Sequence, residues 1–525
     1  MIDKTYNILL IFALLVTLGG CTGTFEDTNT NPYGVTKEDL MQDYMNVGSY
    51  FPQLQQFIYT IYGDLQVEQN LTGDAFAQYM VTPTPFMSNR NNLTYKFVWY
   101  SNRWNNDYAN VMPVIFNFQG LKIDKQYPNF YAWATVLKIF SMHRVTDDYG
   151  PIIYSNYGSS DAIINYDSQQ KVYYSFFSEL DSAINKLSSY AGQSTGVFKK
   201  FDLVYGGNVV KWIKAANSLR LRLALRISKV DPAKAKLEGE KAVSQTYGLI
   251  EDNSDNFMVA LNSYTHPLWT FSNGWSDCRM CATMGSILGG YKDPRLPIYF
   301  SPATDVSIAG KYVGIRQGID IPSKSTYVDF ASVGSMYETT KYVQIMTAAE
   351  VAFLRAEGAL RGWNMGGTAA YFYKAGINLS LSQYGLSSNY PVYSNDSTST
   401  FASYVDPKNS TNNFAPSSNI TIKWDESATQ EQKLERIITQ KWIALFPDGQ
   451  EAWSEFRRTG YPKLLPVVVN YSGGTISTKD FVRRTPYPDD EYLTNPDGIA
   501  GGLLLLGGPD TGGTRVWWDT GGANF

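Results

Sequence analysis

Two aromatic clusters carry polar side chains between their rings and are the best candidates for a binding site. The residues concerned are Trp99, Tyr100, Asn102, Trp104, Trp269 and Trp275. A sugar ring has C–H groups on its faces and hydroxyls at its edge, so flat aromatic rings flanked by Asn, Asp or Arg suit it. Both clusters therefore predict oligosaccharide binding. The alternative is that the same rings seal seams between helices and loops.

Catalytic chemistry has little support in the sequence. The chain has 2 histidines and no nucleotide-binding, nucleophile-elbow or H-E-x-x-H motif. A glycosidase needs only two carboxylates, and Asp147-Asp148 and Asp489-Asp490-Glu491 are the candidates. Adjacent acids in turn-like sequence are more typical of solvated or capping side chains. We therefore predict a protein without catalytic residues, with a carboxylate-pair glycoside hydrolase as the alternative.

Metal and cofactor sites are not predicted either. Cys278 and Cys281 form a single Cys-x-x-Cys pair, whereas a structural zinc site needs about four ligands. In an exported protein such a pair forms a disulfide or packs in the core. His143 lies on or beside an apolar helical face, which predicts a core histidine.

The N-terminus predicts export and lipid attachment. Ile8 to Leu18 is an apolar run of signal-peptide length, too short to span a bilayer. The sequence Leu18-Gly19-Gly20-Cys21 looks like a bacterial lipobox, in which the cysteine thiol receives the lipid. We therefore predict a signal peptide over residues 1–20, lipidation of Cys21, a tether over residues 21–37, and membrane attachment through the lipid anchor only.

Composition excludes one further class of partner. The formal net charge is −4, which argues against nucleic acid. One helix does carry a stripe of basic residues, and because they are spread around the helix we predict that they form structural ion pairs. The stripe consists of Lys211, Lys214, Arg220, Arg222 and Arg226.

Helices that follow one another in pairs are predicted to position the candidate site residues. Helices are predicted over residues 38–62, 104–121, 131–144, 168–187, 209–228, 349–360, 368–384 and 434–445, with others beginning at Pro232 and after Asp448. Thr347 to Glu350 and Asp448 to Glu451 have the spacing of capping boxes. The pairs have roughly the 34-residue size of tetratricopeptide units.

The fold class predicted is mostly α, with a tetratricopeptide-like scaffold of helical pairs and a loop-rich second lobe containing short strands. We expect one composite domain over residues 38–525. Its scaffold would comprise residues 38–249, 344–385 and 426–462. The lobe would comprise residues 250–343, 386–425 and 463–525, which are rich in Gly, Pro, Ser, Asn and Tyr.

Several motifs along the chain resemble one family. They are Asp147-Asp148-Tyr149-Gly150, Lys292-Asp293-Pro294-Arg295-Leu296, "TAAEVAFLRAEGALRGW", "TQKWIALFPDGQEAWSEFRRTGYP", "RRTPYPDDE" and "TRVWWD". With Cys21 and the segment behind it, they make the chain similar to SusD/RagB-type nutrient-binding outer-membrane lipoproteins over most of its length.

The resemblance implies a non-catalytic lipoprotein on the cell surface. Such a protein would capture oligosaccharide or peptide and deliver it to a SusC-like TonB-dependent outer-membrane transporter. It would need no cofactor. A structural or adhesive surface protein is a further alternative, and no motif transfers the family's ligand residues to positions in this chain.

Overall fold

The computed structural model describes residue 39 and residues 41–61, 63–193, 196–416 and 418–525. The predicted signal peptide, Cys21 and the tether lie outside these residues. The chain divides into residues 1–49 and residues 50–525. In the first unit the short helix Met45–Gly48 is described. Among the described residues no helix is long and apolar enough to cross a membrane.

Helices dominate the second unit. Those of six or more residues are α1 (Phe51–Gln56), α2 (Asn102–Asn110), α3 (Met112–Gly120), α4 (Pro128–Tyr149), α5 (Gln169–Ser188), α6 (Val209–Arg226), α7 (Pro232–Ser244), α8 (Ala282–Gly290), α9 (Ala348–Leu360), α10 (Ala369–Ser382), α11 (Gln430–Leu445), α12 (Gly449–Thr459), α13 (Asp489–Thr494) and α14 (Pro496–Leu506). Shorter α-helices are Gly73–Phe76, Ile123–Gln126, Pro267–Trp269, Leu296–Tyr299, Lys324–Tyr327, Met336–Thr339 and Tyr390–Tyr393.

The long helices pack in sequential pairs, as the predicted scaffold requires. Helix α4 packs on α5, α5 on α6 and α6 on α7, while α9 packs on both α10 and α11. Small residues let α9 and α10 approach closely. A Cβ atom on Gly376 would lie 2.7 Å from the ring of Phe353, so any larger residue there would push the helices apart. The mostly α fold with a tetratricopeptide-like arrangement is thus confirmed.

The strands are short and pair two by two. Strand β1 (Met80–Val81) pairs with β3 (Arg279–Met280), β2 (Phe257–Ala260) with β6 (Tyr342–Met346), and β4 (Phe300–Ser301) with β5 (Ser332–Val333), all antiparallel. In the first pair Met80 lies opposite Met280, which joins the segment before the Trp99 cluster to the segment after the Trp275 cluster. These ladders therefore bring two distant parts of the chain together.

Some helix boundaries differ from the prediction for local reasons. The predicted helix over 104–121 is two helices that meet at Val111, because Pro113 has no N–H to donate within a continuous helix. Helix α4 continues through Asp147 and Asp148 to Tyr149. The prediction that these two acids are solvated or capping side chains in a turn was wrong, since both are buried in the last helical turn.

The C-terminal region also differs from the prediction. Residues 463–525 were predicted to be loops with small strands, but they contain the helical hairpin α13–α14. The apolar run Val467 to Val469 is not a strand. Four glycines inside or beside α14 obscured its helical pattern, because glycine lowers helix propensity by about 1 kcal/mol per residue.

Both predicted capping boxes form only in part. The side chains of Thr347 and Asp448 accept hydrogen bonds from the backbone N–H groups three residues later, as predicted. The glutamates at those positions, however, pair with arginines. Glu350 binds Arg222 at 2.7 Å and Glu451 binds Arg226 at 2.6 Å. Both glutamates therefore tie helix α6 to another helix rather than capping their own.

The basic stripe of α6 forms structural ion pairs, which confirms the prediction. Its partners are Asp255 for both lysines, Asp181 and Glu238 for Arg220, Glu350 for Arg222, and Asp147, Glu451 and Glu455 for Arg226. The arginines are buried, so each pair holds two elements together in a region with little water. Buried pairs of this kind specify which elements must meet.

Asp107 gives the fold a testable dependence on pH. Its side chain is buried 3.6 Å from Arg103, and burial raises the pKa of this carboxyl to about 7 despite the nearby guanidinium. A raised carboxyl pKa stabilises the fold at low pH, and this contribution is lost as the pH rises from about 4 to 7.

We expect Asp107→Asn to be more stable than the wild type at pH 8, by about 1 to 3 kcal/mol, and to lose less stability between pH 5 and pH 8. Urea unfolding at both pH values measures the difference. The control is Asp124→Asn at a partly exposed carboxylate. Equal pH dependence in the Asp107→Asn variant and the wild type would contradict the assignment.

Candidate functional site

Trp275 is the exposed ring of the second aromatic cluster. A one-turn helix, Pro267–Trp269, leads into a wide turn over Thr270–Gly274, which closes with a hydrogen bond from the Trp275 N–H to the Thr270 carbonyl. The indole packs on Phe271 with ring centroids 5.1 Å apart and ring planes tilted by 33°. The ring also lies close to Gly63, where an added Cβ would be 3.1 Å from it. Trp275 remains 43% exposed, so part of its ring is free to contact a ligand.

Charged side chains fix the backbone next to this ring. Lys324 donates to the Trp275 carbonyl at 2.9 Å and to the Asp277 carboxylate at 2.7 Å. Thr84 donates to the same carboxylate at 2.5 Å. The turn is therefore held by a polar network, and it places a cation and an anion beside the indole.

A strained loop lies next to Thr84. Met87, Ser88 and Asn89 have φ values of 51°, 51° and 65°, in the left-handed region that side chains other than glycine rarely adopt. Asn89 maintains the loop, because its amide exchanges two hydrogen bonds with the backbone of Ile321, at 3.0 and 3.1 Å. Met87 at the tip is exposed. Backbone strain of this kind collects at binding sites, where it fixes a side chain in place.

Trp99 lies against the same loop. Its ring meets Phe86 edge to face with centroids 5.5 Å apart. The buried side chain of Asn92 holds its backbone, donating to the Trp99 carbonyl at 2.7 Å and accepting from the Trp99 N–H at 3.2 Å. Trp99 is half-buried and packs against a core cluster that includes Leu93 and Ile321. One part of the ring therefore anchors the loop while another remains accessible.

Arg90 places a positively charged side chain at the edge of the loop that contains Met87. Its guanidinium lies 5.1 Å from the centre of the Tyr471 ring, and the Tyr471 hydroxyl donates to Asp320 at 3.0 Å. The backbone N–H of Tyr471 also donates to the Thr94 carbonyl at 2.7 Å. These contacts join the segments around residues 90, 320 and 471.

The structure thus connects the two predicted clusters through residues 84–86, because Thr84 contacts the Trp275 turn and Phe86 contacts Trp99. We call this region the aromatic surface. Its apolar members are Phe86, Met87, Trp99 and Trp275, and its polar members are Arg90, Asp277, Asp320, Lys324 and Tyr471. It offers flat rings together with donors and acceptors, the combination that carbohydrate hydroxyl and amide groups require.

Trp104 does not belong to this surface. It is 4% exposed, and its ring is enclosed by the rings of Tyr108, Tyr149, Tyr166 and Tyr487. Its indole N–H donates to Glu491 at 3.2 Å. For this residue the alternative interpretation, a ring that seals a seam between helix and loop, agrees with the structure.

The other predicted site residues are less exposed than Trp275 and less buried than Trp104. The Tyr100 hydroxyl donates to Asp489 at 2.7 Å, a hydrogen bond that raises the pKa of Tyr100 to about 12. Asn102 begins helix α2 and is half-buried. Trp269 is half-buried at the end of its one-turn helix. Tyr100 therefore connects the region next to Trp99 to hairpin α13–α14.

Four of the five carboxylates considered for catalysis make structural contacts, and one of these contacts is the hydrogen bond from Tyr100 to Asp489. Asp147 accepts hydrogen bonds from Tyr173 and Trp518, and Asp148 accepts one from Gln450. Burial raises the pKa of Asp148 to about 6. In the other candidate group, Glu491 accepts from Trp104 and Tyr166. Each of these carboxylates thus connects separate segments of the fold.

The cysteines and histidines are also buried. Cys278 and Cys281 are free thiols, and burial raises the pKa of Cys281 to about 11. Burial also lowers the pKa of His266 to about 3, which keeps its ring neutral. His143 is a core residue, as predicted. Within the described residues no group of three or more His, Cys, Asp or Glu side chains is placed to hold a metal ion.

The larger clefts lie on the helical scaffold instead. One of about 510 Å³ is lined by Tyr131, Lys138 and Glu179, one of about 470 Å³ by Lys171 and Tyr174, and one of about 360 Å³ by Arg355 and Tyr371. None of these three clefts is lined by a predicted aromatic residue. The exposure of Trp275 and Met87 makes the aromatic surface open, which suits a long chain better than a small molecule.

Sequence reasoning missed several members of the aromatic surface, namely Phe86, Met87, Arg90, Asp320, Lys324 and Tyr471. The run of Ser88, Asn89 and Asn91 was the available signal for the strained loop, because asparagine tolerates left-handed backbone better than most residues. Asp320, Lys324 and Tyr471 are far from the tryptophans in sequence. Only the tertiary contacts bring them together.

Comparison with known proteins identifies the family. The SusD-like family model, described as Susd and RagB outer membrane lipoprotein, matches residues 27–519. A chitin-binding SusD homolog from Flavobacterium johnsoniae is 47% identical, with a TM-score of 0.88 over 91% of this chain and 100% of that one. No curated protein sequence matches this chain.

Two further solved structures agree. A SusD homolog from Bacteroides uniformis is 37% identical, with a TM-score of 0.85 over 90% of this chain and 99% of that one. One from Bacteroides vulgatus is 36% identical, with a TM-score of 0.85 over 92% of this chain and 99% of that one. From the match of the family model and these shared folds, we conclude that the chain belongs to the SusD-like family of outer-membrane lipoproteins.

Proposed function

We propose that this chain is a non-catalytic binding protein of the cell surface that captures oligosaccharides of N-acetylglucosamine and delivers them to a SusC-like TonB-dependent transporter. Lipidated Cys21 would hold it at the outer membrane. The observation that carries the proposal is the aromatic surface, where the exposed Trp275 lies beside Asp277 and Lys324. Trp269, which ends the one-turn helix before the Trp275 turn, is part of the proposal.

The chemistry of this ligand matches the surface. Each sugar ring has an apolar face that can stack on an indole, and each acetamido group has an N–H donor, a carbonyl acceptor and a methyl group. Asp277 and Asp320 can accept from donors of the ligand, Arg90 and Lys324 can donate to its carbonyls, and Met87 offers an apolar contact for the methyl group. The chitin-binding relative at 47% identity supports the same ligand class.

A ligand panel tests the proposal. The chain without residues 1–21 is titrated calorimetrically with chitohexaose, with cellohexaose, which lacks the acetamido groups, and with peptides of similar length. We expect micromolar to millimolar affinity for chitohexaose and at least tenfold weaker binding of the other two. Binding of peptides alone would replace the glycan in this proposal, and absence of binding to all three would reject it.

The hydrolase alternative is tested in the same samples. Incubation with chitohexaose followed by mass spectrometry should show no shorter oligosaccharides. Products that disappear in Asp148→Asn would favour a glycoside hydrolase. A structural or adhesive role would be favoured if a tagged chain purified from native outer membranes carried no transporter.

A further inference from the structure

Helix α14 exposes part of its apolar sequence. Its buried residues are Gly498, Ile499 and Gly502. An added Cβ would lie 2.9 Å from the Tyr166 ring at Gly502 and 2.4 Å from the Ile164 carbonyl at Gly498, so the helix packs closely there. Leu503 and Leu506 are half-buried, whereas Leu504 and Leu505 are 84% and 49% exposed. Surface helices normally bury their large apolar residues and expose polar ones. The packing of α14 on its own chain therefore gives no reason for leucines at these positions.

The neighbouring helix α13 extends this apolar exposure. Leu493 is 79% exposed, and Tyr492 and Leu505 are exposed as well. We call Tyr492, Leu493, Leu504 and Leu505 the leucine face. Single exposed apolar residues are normal on protein surfaces, but several on one short hairpin indicate an interaction site.

Hydrogen bonds hold the hairpin in place, so the leucine face cannot be buried by a small rearrangement. Asn495 exchanges hydrogen bonds with the backbone of Ile164 at 2.8 and 3.2 Å. Glu491 accepts from Trp104 at 3.2 Å and from Tyr166 at 2.6 Å. The leucine face is therefore displayed on a rigid support.

The hairpin adjoins the aromatic surface. Tyr100, directly after Trp99, donates to Asp489 in the first turn of α13. A partner that covers the leucine face would therefore lie close to the place where we propose that the glycan binds. This position suits the protein that receives the glycan.

The charge of the hairpin restricts the chemistry of that partner. Residues 485–514 contain no lysine or arginine, whereas their acidic residues are Asp489, Asp490, Glu491, Asp497 and Asp510. Asp489, Asp490 and Asp497 are exposed. An apolar centre with an acidic rim complements an apolar segment flanked by lysine or arginine. It disfavours an anionic lipid surface, which attracts basic residues.

We propose that the leucine face is the docking surface for the transporter that takes over the glycan, and that it contacts an apolar extracellular loop of that transporter with lysine or arginine at the edge. This inference rests on the proposed function, which supplies the transporter. It adds the surface through which the two proteins meet and the chemistry of the matching loop.

The test uses the tagged full-length chain purified from native outer membranes in mild detergent. The double variant Leu493→Gln and Leu504→Gln removes two apolar side chains and keeps good helix formers. The matched control is Leu237→Gln, at a leucine that is 60% exposed on α7. We expect at least tenfold less TonB-dependent transporter with the double variant, wild-type recovery with the control, and unchanged chitohexaose binding by both purified variants.

Two outcomes separate the inference from the proposed function. Wild-type recovery of the transporter by the double variant would overturn the docking surface alone. Absence of the transporter from the wild-type sample would overturn both the proposed delivery and this inference.

A photo-crosslinking residue at position 504 identifies the occupant directly. A crosslink to a transporter loop that contains lysine or arginine supports the proposal. A crosslink to a second copy of the chain, to residues 21–38 of the same chain, or to lipid would overturn it.

Discussion

Replacing Arg226 with methionine is expected to lower the free energy of unfolding by about 3 to 5 kcal/mol. The guanidinium is fully buried and contacts Glu451 at 2.6 Å, Glu455 at 2.5 Å and Asp147 at 3.3 Å. Its removal leaves buried carboxylates without their shared cation, and these cannot regain water without opening the interface between α4, α6 and α12. Glu455 keeps Arg458 at 2.6 Å and Lys441 at 3.0 Å. The cost therefore arises mainly at Glu451 and Asp147, which lose their close cationic partner.

Urea unfolding followed by tryptophan fluorescence measures this effect. Lys236→Met is the matched control, because Lys236 pairs with Glu240 on an exposed helix face and should contribute about 0 to 1 kcal/mol. Adding Glu451→Gln to Arg226→Met should recover part of the loss by removing one buried charge. A loss below about 1 kcal/mol in Arg226→Met would contradict a structural role for this cluster.

Replacing Trp275 with alanine is expected to weaken chitohexaose binding by about tenfold to a hundredfold, which corresponds to about 1.4 to 2.8 kcal/mol. The exposed part of the indole is the largest flat apolar area that the aromatic surface offers to a sugar face. Trp275→Phe should lose less, because a smaller ring remains. Calorimetric titration of the purified variants gives the dissociation constants.

The control for this prediction is Tyr371→Ala. Tyr371 is 64% exposed on α10 and lies on the helical scaffold, so it should leave chitohexaose binding unchanged. Circular dichroism should show that Trp275→Ala keeps its helix content, since the ring is 43% exposed and lies outside the long helices. Wild-type affinity in Trp275→Ala, or an equal loss in Tyr371→Ala, would remove the aromatic surface from the proposed site.

The sequence predicted most of the scaffold because helix signals are local. The periodic apolar residues and end signals of α5, α6, α9, α10 and α11 each lie within one element. Errors occurred where a local pattern was weak or where tertiary contacts competed with it. The glycines of α14 obscured its helical pattern, and Pro113 divided α2 from α3. Glu350 forms an ion pair with Arg222 instead of completing a capping box.

The site was predicted less well for a related reason. Composition and clustering identified tryptophans, but they gave no measure of burial. Trp104 and Trp275 both lie among Asn, Asp and Arg in sequence, yet one is enclosed by four tyrosines and the other is exposed beside Lys324. Contacts between distant segments decide this difference, and one sequence does not display them.

The sequence by itself determined the family motifs, the helical pairs and the ion pairing of the basic stripe on α6. Apolar residues at helical spacing must be buried against another element, and a charged side chain that is buried needs a partner of opposite charge. Only the tertiary structure decided which rings remain exposed and which loops meet. The physical reason is that burying an indole ring is favourable whether a neighbouring side chain or a ligand covers it. The exposure of a tryptophan therefore depends on its neighbours. Here these neighbours include Asn89, Lys324 and Tyr471, which the fold brings from separate parts of the chain.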